Sequence, residues 1–233
     1  NNLHLLSKLT YFYFDYNKLT NTIPTTIYYL TKLQIFDCSY NHLTGTISTS
    51  IGLLSNILTT FTMGRNSLTG TIPTTIGYLT KVNRFFLNFN KLTGTIPTTI
   101  CLLSSLAYVQ MDENIFTGTI PLNIGYLSSI ETISLNYNLL TGTIPESISN
   151  LTNLQYLLLG NDYLSGKIHP VQRTALVGLS LDYNYFTGTL PTFFGLLTNL
   201  EKLRIEDSFL AEIVPASICN LPINNIEIYI SHN

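Results

Sequence analysis

Apolar residues recur along this chain at fixed distances from a polar residue that itself recurs. The Asn that follows each apolar pair falls at Asn17, Asn41, Asn66, Asn90, Asn114 and Asn138, spaced by 24, 25, 24, 24 and 24 residues. The series continues through Asp162, Asn184, Ser208 and Ser231, at spacings of 24, 22, 24 and 23. Apolar residues stand at −8, −5 and −3 from each of these positions, as Val82, Phe85 and Leu87 do before Asn90, and Leu92 stands at +2. The alternation at −5 and −3 is that of a half-buried strand. One such strand per unit, stacked on the next at about 4.8 Å, predicts a parallel sheet whose residues from Phe12 and Phe14 through Ile226 and Ile228 point inward. A buried Asn behind each strand can bond the backbone of neighbouring units and satisfy polar groups that the bend would otherwise strand. Asp162, Ser208 and Ser231 accept hydrogen bonds in the same way but hold such a ladder less well.

Beyond the ladder comes Leu-Thr-Gly-Thr-Ile-Pro, seen at Leu68–Pro73 and Leu92–Pro97. Thr and Ile suit a second short strand, Gly allows close approach, and Pro ends the pairing. The segment Thr74–Thr80 then supplies one apolar turn, predicted as 3₁₀, on the opposite side of the unit.

These motifs resemble the plant-type leucine-rich-repeat family. Its Leu-x-Gly-x-Ile-Pro hallmark is matched at Leu43–Ile47, Leu68–Pro73, Leu92–Pro97, Phe116–Pro121 and Leu140–Pro145, with Leu in place of Ile at Phe186–Pro191. The resemblance covers essentially the whole chain. It implies an α/β repeat solenoid, mostly β: a right-handed superhelix with a parallel concave sheet, short second strands and 3₁₀ turns on the convex side. Residues 1–233 read as a single domain of about nine and a half units of 24 residues. No terminal cap is recognisable in it, which suggests part of a longer chain. Family members include receptor ectodomains, inhibitors of secreted cell-wall-degrading enzymes and ice-binding proteins, so the resemblance implies an extracellular or cell-surface location. The paired cysteines of the family's caps have no counterpart here. Asn150-Leu151-Thr152 is the one N-glycosylation triplet, which makes Asn150 the glycosylation candidate.

Charged residues make up only 10% of the chain, so Thr, Ser, Asn and Tyr must form much of the surface. The net charge of −2 and the scattered cations give no basis for nucleic-acid binding. The charge is unevenly spread. Residues 1–100 carry seven Lys or Arg against two Asp, and residues 101–233 carry four against eleven acids, so the halves stand near +5 and −7. No apolar run is long enough to span a membrane. Cys38, Cys101 and Cys219 lie in different units and read as free thiols, with Cys38 a buried core residue. The four histidines share no phase of the repeat, and no nucleophile–base pair, carboxylate pair or phosphate loop is visible. No catalytic residue, metal site or cofactor is expected.

Two surfaces carry the remaining information. Eleven of the fifteen tyrosines occupy phases −6, −4, −2, −1 or +1, read as the concave face. Tyr16, Tyr40, Phe89, Tyr108, Tyr137, Tyr156, Tyr183 and Tyr185 are its candidate ligand-binding residues, because aromatic side chains give large contact area at low entropic cost. The expected partner is a protein or glycan. The second surface is a Thr-x-Thr array, formed by Thr44 and Thr46, Thr69 and Thr71, Thr93 and Thr95, Thr117 and Thr119, and Thr141 and Thr143. The array is expected on the second strands, with both members of each pair at exposed β positions. A flat Thr grid of this kind resembles ice-binding surfaces. A third expectation follows from the oppositely charged halves, which favour head-to-tail self-association into a filament.

Overall fold

The computed structural model describes residues 5–55, 57–169, 175–211, 214–221, 226–231 and 233. Ten three-residue strands form one continuous parallel sheet: Tyr11–Tyr13, Ile35–Asp37, Thr60–Thr62, Arg84–Phe86, Tyr108–Gln110, Thr132–Ser134, Tyr156–Leu158, Gly178–Ser180, Lys202–Arg204 and Glu227–Tyr229. Each pairs only with the strand of the unit before and after it. Phe36 faces Phe61, Phe61 faces Phe85, and Phe85 faces Val109, so the −5 residues form one inward column. Its rings touch from unit to unit, with centroids 5.5 Å apart for Phe36–Phe61 and 5.6 Å for Phe61–Phe85.

The second strands form a six-stranded parallel sheet, Thr93–Thr95, Ile115–Gly118, Leu139–Gly142, Tyr163–Gly166, Tyr185–Thr189 and Phe209–Ala211, and a two-stranded one, Thr20–Thr22 with His42–Thr44. Between these two, Thr69 N–H donates to Gly45 O and Thr93 N–H to Gly70 O, each at 2.8 Å, so the ladder of bonds crosses the gap. Pro then opens a 3₁₀ turn on the far side. At Thr74–Tyr78, Ile76 N–H donates to the Pro73 carbonyl while Ile76 and Gly77 are buried. Among the described residues every helical turn is 3₁₀ rather than α. The core is the space enclosed by these three sides, filled by the −8, −5, −3, +2 and +6 residues.

The inward column fades at the ends of the described chain. Phe14 is 42% exposed and Ile228 38% exposed, contrary to their expected burial, because their strands are flanked on one side only. The last rung of the ladder also moves. Ile228 pairs with Leu203, which is at −5 from Ser208, so the rung is Asn233 and not Ser231. Asn233 Nδ2 donates to Ile205 O at 2.7 Å, and its Oδ1 accepts from Ser208 N–H at 3.2 Å. The −1 position of that unit is therefore His232, outside the described residues, instead of Ile230.

The second strands are shorter than the Thr-x-Thr pattern implied. Thr119 and Thr143 were expected within strands, but Ile115–Gly118 and Leu139–Gly142 each end one residue before them. The physical reason is where the pairing stops. Thr95 follows Gly94 at φ +75° and stays in its strand because it stands opposite Thr117, whereas the pairing of the two later strands reaches Gly118 and Gly142, at φ +75° and +78°, and goes no farther. Thr46, Thr69 and Thr71 likewise lie outside strands, whereas Thr44, Thr93, Thr95, Thr117 and Thr141 lie within them.

Candidate recognition surface

The rungs fix the bend that shapes the surface. Asn90 is 9% exposed and uses both ends of its amide. Its Nδ2 donates to Met63 O at 3.0 Å and Leu87 O at 3.1 Å, and its Oδ1 accepts from Leu68 N–H at 2.9 Å. Asn114 and Asn138 repeat this pattern with the next units. Asp162 breaks it. One oxygen accepts from Leu140 N–H at 2.8 Å, but the other is buried without a partner, since a carboxylate has no N–H to offer the carbonyls around it. Burial pushes this carboxyl up to about 8.

The residue just before each rung turns left-handed. Tyr16, Tyr40, Arg65, Phe89, Glu113, Tyr137, Asn161, Tyr183 and Asp207 have φ between 50° and 58°. Nothing in the sequence pattern marked this. Glycine, Asn or Asp is the usual occupant of such backbone, and only Asn161 and Asp207 of the nine meet that expectation. The nine side chains form a ridge beside the ten-stranded sheet. At one end the ridge packs on itself. Tyr16 stacks on Tyr40 with centroids 4.1 Å apart, and the Arg65 guanidinium lies 5.2 Å from the Tyr40 ring and 3.8 Å from the Phe89 ring. The hydrogen bond between the Tyr16 and Tyr40 hydroxyls raises the pKa of the first and lowers that of the second. Farther along, the neighbouring Asp207 carboxylate pushes Tyr183 up.

The expected concave set is thus split over three surfaces. Tyr108 and Tyr156, at −6, stand on the open face of the ten-stranded sheet, where the Tyr108 hydroxyl donates to Glu131. Tyr16, Tyr40, Phe89, Tyr137 and Tyr183 are on the ridge. Tyr185 is not on the concave sheet. It begins the strand Tyr185–Thr189 of the second sheet, because the chain bends at −1 and the alternation restarts beyond it.

The shape of this solenoid recurs in solved structures. A complex of PEPR1 with AtPEP1 superposes at a TM-score of 0.94 with 32% identity, covering 99% of this chain and 32% of that one. The Arabidopsis receptor kinase HAESA, solved with the peptide hormone IDA and the co-receptor SERK1, matches at 0.90 with 31% identity, covering 95% and 37%. A family model for the leucine-rich repeat matches residues 32–54 and 129–151. The chain belongs to the plant-type leucine-rich-repeat family. A plant ice-binding protein matches at 0.68 with 28% identity, covering 87% of this chain and 73% of that one. This leucine-rich-repeat chain spans about a third of the PEPR1 and HAESA chains. No curated protein sequence matches it significantly.

The Thr array of this leucine-rich-repeat chain runs along the second strands and the residues just past them, and each of its columns has a packing role. In the +3 column, Thr69, Thr93, Thr117 and Thr141 donate their hydroxyls to the glycine carbonyl of the preceding unit at 3.3–3.4 Å. In the +5 column the methyl covers the next glycine. A Cβ on Gly94, whose φ is +75°, would stand 2.7 Å from the Thr71 methyl. The methyls of Thr119 and Thr143 cover Gly142 and Gly166 in the same way, at 2.9 and 2.8 Å from such a Cβ. Thr119 and Thr143 nonetheless remain exposed, as do Thr44 and Thr46. Asn150 is exposed at the end of the 3₁₀ turn Glu146–Asn150. Cys38 and Cys101 are buried and Cys219 is exposed, all free; burial pushes the first two up to about 12 and about 11. No helix among the described residues is long and apolar enough to cross a membrane.

Proposed function

We propose that this chain is a non-catalytic recognition module that binds an extended polypeptide along the −1 ridge and the adjoining open face of the ten-stranded sheet, outside the cell. The observation that carries this reading is the choice of residue at left-handed backbone. At +4, where the backbone needs positive φ and, at six of the seven, the Thr methyl of the preceding unit leaves little room for a Cβ, seven units use glycine, with φ from 75° to 94°. At −1, with φ of the same sign, none of the nine does, although each side chain there costs roughly 1 kcal/mol of strain. Large side chains that cost stability are retained for what they present. The neighbours support the same reading, since HAESA was solved with a peptide hormone bound. Tyr137 isolates the effect, being 52% exposed and outside every ring stack. Selection of peptides from a random display library should yield binders that Tyr137→Gly weakens by about 1–2 kcal/mol. The same change should leave the melting temperature within about 2 °C, because relieved strain offsets the flexibility that glycine adds to the unfolded chain. Selected peptides indifferent to Tyr137→Gly and Tyr183→Ala would remove the ridge from the reading.

The Thr array favours a second reading, ice binding, which the plant ice-binding neighbour shares in name. Five consecutive units carry Thr pairs on the second-strand side, each unit offset by two residues from the last, so that Thr95 stands opposite Thr117. On this reading the purified protein produces thermal hysteresis that Thr93→Tyr and Thr117→Tyr reduce. Freezing and melting points that coincide at millimolar protein would end it.

A further inference from the structure

The +1 column changes character half-way along the solenoid. Its first members are Lys18, His42, Ser67 and Lys91; from the next unit on they are Ile115, Leu139, Tyr163, Tyr185 and Phe209, all exposed. The last three stack, with centroids 5.7 Å apart at both steps and planes 13° and 9° from parallel. They form one wall of a groove of about 390 Å³ whose other wall is Tyr183 and Asp207 and whose floor is the polar ladder. Tyr163, Tyr185 and Phe209 are 46%, 46% and 64% exposed, a contiguous apolar stripe of the kind that marks a contact surface.

Charge specifies the occupant. Asp207 lines the groove beside Tyr183, and with Glu206 and Asp182 it sets a negative field there that raises the Tyr183 pKa. The nearby cations are engaged elsewhere: Lys202 pairs with Glu227 at 3.0 Å, and Arg204 lies 5.0 Å from the Tyr229 ring. The protein itself shows how its ridge accommodates a cation. In the first units the guanidinium of Arg65 lies over the rings of its two −1 neighbours. Tyr183 has Asn161 and Asp207 as its −1 neighbours, so its ring, 51% exposed, carries a carboxylate beside it and no such partner. An aromatic face flanked by a carboxylate attracts a guanidinium or ammonium group.

We infer that this groove docks a cationic, extended segment of a protein partner, with an Arg or Lys over Tyr183 beside Asp207 and an apolar residue against Tyr163, Tyr185 and Phe209. This rests on the reading of the chain as a peptide-recognition module and names the partner's chemistry. The test uses fluorescence anisotropy with three labelled decapeptides of alternating Arg/Leu, Ser/Leu and Glu/Leu, and the peptides selected by display. The Arg/Leu probe should bind at least tenfold more tightly than the other two and weaken at least tenfold between 50 mM and 500 mM salt. Asp207→Asn and Tyr185→Ala should each weaken it about tenfold, and Tyr29→Ala, on the opposite side, should not change it. Circular dichroism of each variant confirms the fold. Display peptides that bind through Tyr137 but carry no excess of Arg or Lys and ignore both groove variants overturn this docking site and leave the recognition reading standing. A chain that selects no peptide and binds none of the probes overturns both.

Discussion

Leu135→Asp should destabilise the protein by more than about 4 kcal/mol, a fall in melting temperature on the order of 10 °C. Leu135 stands at −3, is 2% exposed and faces Ile96, Ile100, Met111 and Leu127 across a space of about 10 Å³ lined only by apolar side chains. That is too little room for a water with partners, so a carboxylate placed there loses its hydration and gains nothing. Neutralising it by protonation still leaves an unbonded polar group in a dry core. Leu139, four residues on, is 37% exposed at +1, and Leu139→Asp should cost less than about 1 kcal/mol. Scanning calorimetry of the two variants checks the register of both sheets at once. A Leu135→Asp protein that melts with the parent would contradict the inward assignment of the −3 column.

Asp162→Asn should have the largest effect in the other direction. The folded carboxyl titrates at about 8 against about 3.9 for an unfolded one, so between those values the folded chain holds a proton that the unfolded chain has released. Stability from this group is fully present below about pH 4, falls as pH rises through the window, and is flat above about 8. Each unit of separation is worth about 1.4 kcal/mol, so the total loss is several kcal/mol. An Asn has the two N–H donors that Asn138 already uses on the carbonyls of Met111 and Leu135, and it does not ionise. The variant should therefore melt higher than the parent at pH 8 and about level with it at pH 4, with a flatter profile between. A parent and variant with the same slope from pH 5 to 8 would show that the orphaned oxygen finds a partner in solution.

The period was legible because burial and the ladder act on the same residues in every unit. Asn90, Asn114 and Asn138 had to be buried if Phe85, Val109 and Ile133 formed one column, and they are. The same regularity misled at the last unit. Ile226, Ile228 and Ile230 alternate with polar residues, so a slide of two positions fits the pattern equally well. Only the pairing of Ile228 with Leu203 settles the register. Of the candidate site, the aromatic residues were visible but their surfaces were not. Counting in steps of two assumes a straight strand, whereas the backbone turns left-handed at −1 and sends Tyr183 and Tyr185 to opposite walls of one groove. Tyr at that bend gave no signal, since propensity favours Gly or Asn there. The same assumption carried Thr119 and Thr143 into strands that stop at the glycine before them.

The units are not all equally long, and the place where they differ has an evolutionary consequence. The extra residue between Asn41 and Asn66 falls after Leu54, at the end of a 3₁₀ turn of six residues instead of the usual five, while Phe36 still faces Phe61. The unit two residues short between Asp162 and Asn184 likewise keeps Leu157 opposite Leu179. One flank of the solenoid therefore keeps strict register and the other absorbs insertions and deletions. Mutation can lengthen or shorten a unit on the slack flank without moving a single residue of the ridge, so lineages can diverge in length there while the spacing of the docking side chains is inherited unchanged.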